Sequence, residues 1–291
     1  MNSSCEVVYA FIPCYNRRDV TVSFIDHLIY SWPVSILLNI HLLDCGSSDG
    51  SAAAVSFRWP SVTVHSLDST FFWGASLNYI QSLLRKDSLF NHINYCDPWI
   101  LILNDDLRFK DGALSLACSL LSGFDILAPN IEGGPGKVFF NPVNGSFGES
   151  ADCGESNLGT TRATFLRRST WLQAEPIVKG IPHYLSDYWF TYSLSCKGFR
   201  ISTIPGYSVI CRSDTTRLSG PNGIGLGSRF TYWCSCLDPR SPDYLIAYIT
   251  FKRRFSREPF ILFSLILMKL KFSFYKLVTC YHPGNIAQLQ G

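Results

Sequence analysis

Short apolar runs that end in clusters of polar, turn-forming residues alternate with amphipathic stretches through the first 130 residues of this chain. Val7-Val8-Tyr9-Ala10-Phe11-Ile12 stops at Pro13, and Val34 to Leu43 stops at Asp44-Cys45-Gly46-Ser47-Ser48-Asp49-Gly50. Val62-Thr63-Val64-His65 and Trp99-Ile100-Leu101-Ile102-Leu103 follow, the second halted by Asn104-Asp105-Asp106, and Phe124 to Ala128 is a fifth run. Runs without a polar alternate position suit strands covered on both faces. Between them, residues from about Arg17 to Ser31 place Val20, Phe24, Ile25 and Leu28 on one helical face. A helix through Phe57 can be capped by Ser48 or Asp49, Gly74 to Lys86 carries Leu77, Ile80, Leu83 and Leu84, and Gly112 to Leu121 reads as another helix. Strands and helices in this alternation predict a mainly parallel, Rossmann-like α/β sheet with right-handed crossovers, flanked by helices.

After Pro129 the alternation fails. Gly133-Gly134-Pro135-Gly136 and Asn141-Pro142-Val143-Asn144-Gly145 punctuate hairpin-like material. Thr160 to Arg167 reads as one more strand, with Arg167-Arg168 as its solvated end, and Tyr184 to Lys197 as a helix stopped by Gly198.

Composition enters here. With 47% hydrophobic and 16% charged residues among 291, the chain can bury a large core, and disorder is excluded. A net charge of +3 is too small to argue for a nucleic-acid partner, but it is unevenly placed. From Lys252 onward Lys252, Arg253, Arg254, Arg257, Lys269, Lys271 and Lys276 face a single acid, Glu258, so the body before them is slightly acidic. Phe260 to Met268, with only Ser264 polar, is too short to span a bilayer, which takes about 20 apolar residues. The segment suits a helix lying in an anionic membrane surface, or a helical pair packed on the body. The eleven cysteines are odd in number and lack zinc-ligand spacing, Cys234-x-Cys236 being a lone pair. Met1 to Glu6 has no basic region and Val7 to Pro13 is short for a signal peptide. Reduced thiols in a cytoplasmic protein, peripheral on the inner membrane face through its tail, are the expectation.

In open parallel sheets ligands bind beyond the carboxyl ends of the strands. The clusters Pro13-Cys14-Tyr15-Asn16, Asp44 with its Ser/Gly loop, and Asn104-Asp105-Asp106 sit at three such ends. Turn residues routinely follow strands, so each cluster alone has a plain structural reading; their joint placement forms a candidate crevice. Its carboxylates suit Mg²⁺ or Mn²⁺ completed by a ligand's phosphates. Neither Gly-x-Gly-x-x-Gly nor Gly-Lys-Ser/Thr follows the first strand. A metal-held nucleoside diphosphate is the ligand class left.

These residues carry a resemblance. Phe11-Ile12-Pro13-Cys14-Tyr15-Asn16-Arg17 resembles the first strand and turn of family 2 glycosyltransferases of the GT-A fold. Asp44-x-Gly-Ser-x-Asp-Gly is similar to their second motif, and Leu103-Asn104-Asp105-Asp106 to their metal-binding Asp-x-Asp segment. Phe72-Trp73-Gly74-Ala75-Ser76-Leu77-Asn78 and Pro182-His183-Tyr184-Leu185-Ser186-Asp187-Tyr188-Trp189-Phe190 resemble a bacterial, rhamnosyltransferase-like branch. The similarity runs from about Val7 to Thr203.

The resemblance implies an inverting, metal-dependent enzyme that moves a sugar from a nucleotide donor (dTDP-rhamnose, or a UDP- or GDP-sugar) to a saccharide or lipid-linked acceptor. Pro13, Tyr15, Asn16, Trp73, Gly74, Asn104 and Asp105 would contact the nucleotide-sugar, and Asp44 would accept a hydrogen bond from its base. Asp106, with Asp105 assisting, would hold Mn²⁺ or Mg²⁺; Asn104 stands where the family has the first Asp. Asp187 matches the general base, with His183 and Tyr184 on the acceptor side, while Trp189 stands where the branch often has Glu. Residues 1–212 would form the transferase domain, its nucleotide half about 5–130 and its acceptor half 131–212. Residues 213–291 would form a basic, apolar helical extension. The stretch Arg229-Phe230-Thr231-Tyr232-Trp233 lacks the second Arg of the Gln-x-x-Arg-Trp segment of processive synthases, which favours single addition. A catalytically weak sugar-nucleotide or glycan-binding protein, and a nucleotidyltransferase, are the other classes. The first loop lacks the glycines and basic residues that a triphosphate would require.

Overall fold

The computed structural model describes residues 7–86, 97–211, 236–242, 244–261, 263, 265–267 and 270. Cys234, the Arg229 to Trp233 segment, Lys269, Lys271 and Lys276 lie outside them. In chain order the elements begin with β1 (Val7–Cys14), α1 (Arg18–Ser31), β2 (Leu37–Asp44), α2 (Ser51–Arg58), β3 (Thr63–Ser66), α3 (Trp73–Leu84) and β4 (Trp99–Ile102). They continue with β5 (Leu107–Phe109), α4 (Ala113–Leu120), β6 (Ile126–Ile131), β7 (Lys137–Asn141), β8 (Ser146–Ser150) and β9 (Gly154–Ser156). The last are β10 (Thr164–Arg167), α5 (Arg168–Trp171), α6 (Ser186–Ser195), β11 (Ile201–Cys211) and α7 (Leu245–Phe255).

Nine strands form one sheet in the order β3-β2-β1-β4-β10-β6-β11-β5, with β9 paired to β11, while β7 and β8 form a separate hairpin. The half made by β3, β2, β1 and β4 is wholly parallel, as the alternation predicts. Beyond it β10 enters antiparallel between β4 and β6, and β11 returns parallel to β6. The apolar runs are apolar on both sides because both sides are covered. Tyr9 and Phe11 of β1 join Ile100 and Ile102 of β4 in one core layer with α3, α6 and α7. Val8, Ala10 and Ile12 join Trp99 and Leu101 in the other, under α1, α2 and α4. β1 runs two residues past the expected stop at Ile12. Its pairing with β4 ends at Phe11, so the missing N–H of Pro13 falls where only β2 is alongside.

The chain winds from β1 outward to β3 and then returns to place β4 on the other side of β1. This reversal opens a crevice between the carboxyl ends of β1 and β4. Helix α7 is part of the body. Phe251 is fully buried with its ring 5.1 Å from that of Phe140, and Phe255 lies 4.9 Å from Trp189. Among the described residues no helix is long and apolar enough to cross a membrane.

Candidate active site

The crevice is a cavity of about 430 Å³. From the first half of the chain Pro13, Tyr15, Arg17, Trp73 and Asn104-Asp105-Asp106 line it; from the second, Arg162, His183, Tyr184, Asp187 and Arg240. The ends of β1 and β4 and the starts of α3 and α6 therefore meet at this cavity.

Asp187 sits in the first turn of α6, where the amide end of the helix favours a carboxylate. Burial nevertheless pushes its acid strength down and its pKa up, against the opposing pull of the Arg162 charge and of backbone N–H groups of Asp187 itself and Thr161. Thr161 also accepts a hydrogen bond from Trp73 Nε1 at 2.9 Å, tying α3 to the segment beside Asp187. Burial works to lower the pKa of Arg162, but Asp187, Cys211 and Asp106 outweigh it and hold the guanidinium charged. Burial also lowers His183 to about 4, helped by Arg240, Arg162 and Arg17, so its imidazole is neutral at pH 7.

Across the cavity Arg17 bridges the acids: its Nη1 lies 2.9 Å from Asp105 Oδ1 and 3.3 Å from Asp106 Oδ2. Asp105 also accepts from Thr21 Oγ1 at 2.8 Å, so both its oxygens are engaged within the wall. Burial raises the pKa of Asp105 and Arg17 opposes it. Asn104 Oδ1 is buried and has no hydrogen-bond partner among the described residues. Together with the Asp106 carboxylate it offers hard oxygens to a divalent cation whose remaining positions a diphosphate would fill. Among the described residues no three His, Cys, Asp or Glu side chains cluster as a metal site.

Three residues expected at the donor do not line the cavity. Asn16 adopts a left-handed conformation (φ 50°) and ties two loops together: its Oδ1 accepts from Ser48 N at 2.8 Å and its N–H donates to Ser47 Oγ at 2.9 Å. Asp44 is buried beneath the floor, where Oδ1 accepts from Ser47 N at 3.0 Å and shapes the Ser/Gly loop. Gly74 faces the 177–182 segment. Its N–H donates to Pro182 O at 2.9 Å, and a Cβ there would meet Ile181 O at 2.8 Å. Each of these positions shapes the walls instead of contacting the cavity. Trp189, where the resembled branch has Glu, turns into the core against Phe255. Arg167 and Arg168 are not a solvated end either: one lies 4.1 Å over the Trp99 ring, and the other donates to Leu84 O at 2.7 Å.

Sequence reading missed the arginines Arg17, Arg162 and Arg240. For Arg162 there was one local signal, a single cation among the small residues Gly159-Thr160-Thr161 and Ala163 just before an apolar strand. Backbone strain marks the same places. The described non-glycine residues with positive φ are Asn16, Ala163 and Leu185, beside Arg17, Arg162 and Tyr184 respectively. Such conformations persist where surrounding structure over-determines them, commonly at functional sites.

Neither a family model nor a curated protein matches the sequence. Solved structures match the fold. The mannosyltransferase PcManGT from Pyrobaculum calidifontis, in complex with GDP-Man and Mn²⁺, aligns over 96% of this chain and 76% of its own at 13% identity, with a TM-score of 0.51. GalNAc-T7, with UDP, GalNAc and Mn²⁺, aligns over 97% of this chain and 59% of its own at 11% identity, with a TM-score of 0.56. At such identities the likeness is one of fold, and the fold of this chain is that of the GT-A glycosyltransferases.

Proposed function

We propose that this chain is an inverting, non-processive glycosyltransferase that moves a sugar from a nucleotide donor to a saccharide or lipid-linked acceptor. The observation that carries the reading is one cavity, at the sheet's switch point, with Asp187 on one wall and Asn104, Asp105 and Asp106 on the other. Pro13 and Tyr15 would hold the nucleotide. The donor is a dTDP-, UDP- or GDP-sugar: dTDP-rhamnose follows from the motif resemblance, and the other two nucleotides are those borne by the fold neighbours. Asp106, with the Asn104 amide oxygen, would hold Mn²⁺ or Mg²⁺, which when bound supplies positive charge against the leaving diphosphate.

The chain's own groups do the remaining work. Arg17 and Arg162 bring fixed cations to the same cavity, where they would stabilise charge developing on the leaving diphosphate. Asp187 accepts the proton of the acceptor hydroxyl as that oxygen attacks the anomeric carbon from the face opposite the diphosphate. Its raised pKa makes it a stronger base than an exposed carboxylate. Neutral His183 and Tyr184 flank the acceptor hydroxyl. No enzyme nucleophile is required, and Cys14, the thiol nearest the nucleotide loop, is held protonated by burial and the charge of Asp44.

Release of nucleoside diphosphate from a panel of nucleotide-sugars with Mn²⁺ and saccharide acceptors tests this. Asp187→Asn should lower kcat by about 10²–10⁴ and leave nucleoside diphosphate binding by calorimetry unchanged. Turnover preserved in that variant would remove Asp187 as the base. Binding without turnover of any donor by the wild type would favour a sugar-nucleotide-binding protein, the reading to which Asn104 and the Arg17 bridge across the two acids lend support.

A further inference from the structure

Beyond α7 the fold leaves a row of large apolar side chains in solvent. The backbone is helical at residues 261, 263, 265–267 and 270. Phe260 and Phe263 are 72% and 63% exposed, and Ile266, Leu267 and Leu270 are exposed as well, whereas Leu265 is 1% exposed. On a helix, positions 260, 263, 267 and 270 share one face with 266 at its edge, and 265 lies on the opposite face. Leu265 is thus covered while the apolar stripe on the opposite face is turned outward. Single exposed hydrophobic residues need no explanation, but a contiguous apolar face on a helix marks an interaction surface.

The charges beside it identify the partner. Arg253 and Arg257, just before the stripe, are exposed. The nearby acids are already engaged: Glu258 with Lys252 Nζ at 3.0 Å, and Glu175 with Arg254. From Lys252 onward the sequence holds seven basic residues and one acidic one. A second copy of the chain docked here would set one strongly basic segment against another, which like-charge repulsion disfavours. Nucleic acid would leave the phenyl and leucyl groups unburied. An anionic phospholipid surface satisfies both halves, taking the apolar stripe into the acyl boundary and the Arg253 and Arg257 guanidinium groups among its headgroups.

We infer that the Phe260–Leu270 face, with Arg253 and Arg257, is a docking surface for an anionic lipid bilayer. The inference stands on this surface alone and not on the catalytic reading. Its experiment is co-sedimentation of the full chain with vesicles of phosphatidylcholine with and without phosphatidylglycerol, across a salt series. Binding should require phosphatidylglycerol and weaken with salt. Phe260→Ser with Phe263→Ser, and separately Arg253→Glu with Arg257→Glu, should each weaken it by about tenfold or more. Because these side chains are exposed, thermal melts of both variants should match the wild type. Absence of binding, equal binding to neutral vesicles, or unchanged binding in either variant would overturn the inference. So would self-association, seen by light scattering, that the Phe variant abolishes in a chain that ignores vesicles. None of these outcomes depends on glycosyl transfer.

Discussion

At the scale of single residues the site is governed by which charges stand next to which. Asp187 is pulled two ways, toward the neutral acid by burial and toward the carboxylate by Arg162. Replacing Arg162 with Met therefore removes the stabilising cation and leaves burial opposed only by the backbone N–H groups of Asp187 and Thr161, so the pKa of Asp187 must rise. The acid limb of the kcat/KM profile should move to higher pH in Arg162→Met, and at fixed low pH the variant should lose more activity than at high pH. A pH–rate series on both proteins checks this, and an unmoved limb would show that the two groups are not coupled during turnover. Motif glycines and polar residues follow the same rule of local cause. Gly74 is required because carbonyls of the 177–182 segment approach it to 2.8 Å from where a Cβ would stand, not because a ligand does.

At the scale of elements, α7 illustrates how a segment that looks like an appendage in sequence becomes structural. Its inner face carries Ala247, Phe251 and Phe255, all buried, and Phe251 packs at 5.1 Å against Phe140 and 6.1 Å against Tyr192. Pro142 O of the β7–β8 turn accepts from Arg257 N at 2.6 Å just beyond the helix. Phe251→Ala removes a fully buried ring, and burial losses of this kind cost about 3–5 kcal/mol. Chemical denaturation should register a loss of that size, whereas Arg253→Ala on the outer face should be near neutral. Because Arg240, a few residues upstream, lines the cavity, the Phe251 variant should also weaken ligand binding in the folded fraction. A boundary drawn at residue 212 thus separates side chains that the fold keeps together.

At the scale of the molecule, a buried histidine links stability to pH. His41 lies between the rings of Phe11 and His65, with its Nδ1 3.0 Å from His65 Nε2, and burial followed by the His65 charge lowers its pKa to about 4. Between about 4 and its ordinary value of 6.5 the unfolded chain binds the proton and the folded chain does not. Stability therefore rises with pH through that window and is lost as pH falls through it. The loss is on the order of 3 kcal/mol at the acid end for this group, and His183 acts in the same direction. Urea midpoints measured from pH 7 down to pH 4 should fall, and the fall should be shallower in His41→Gln.

The parallel half-sheet, its helices and the places where polar clusters end its strands were legible in the sequence. Apolar runs of strand length, amphipathic helices and turn chemistry are local signals, set by periods of two and 3.6 residues. Tyr15 and Asp106 could be named because they sit at strand ends that such patterns locate, whereas Asp187 and Trp73 were named through the resemblance of their motifs. Tertiary structure alone decided the rest. The antiparallel entry of β10 between β4 and β6, the burial of Trp189 under Phe255, and the arrival of Arg17, Arg162 and Arg240 in one cavity all join residues far apart in the chain. Electrostatic and packing energies depend on distance in space, and a linear pattern carries no record of which distant residues will become neighbours.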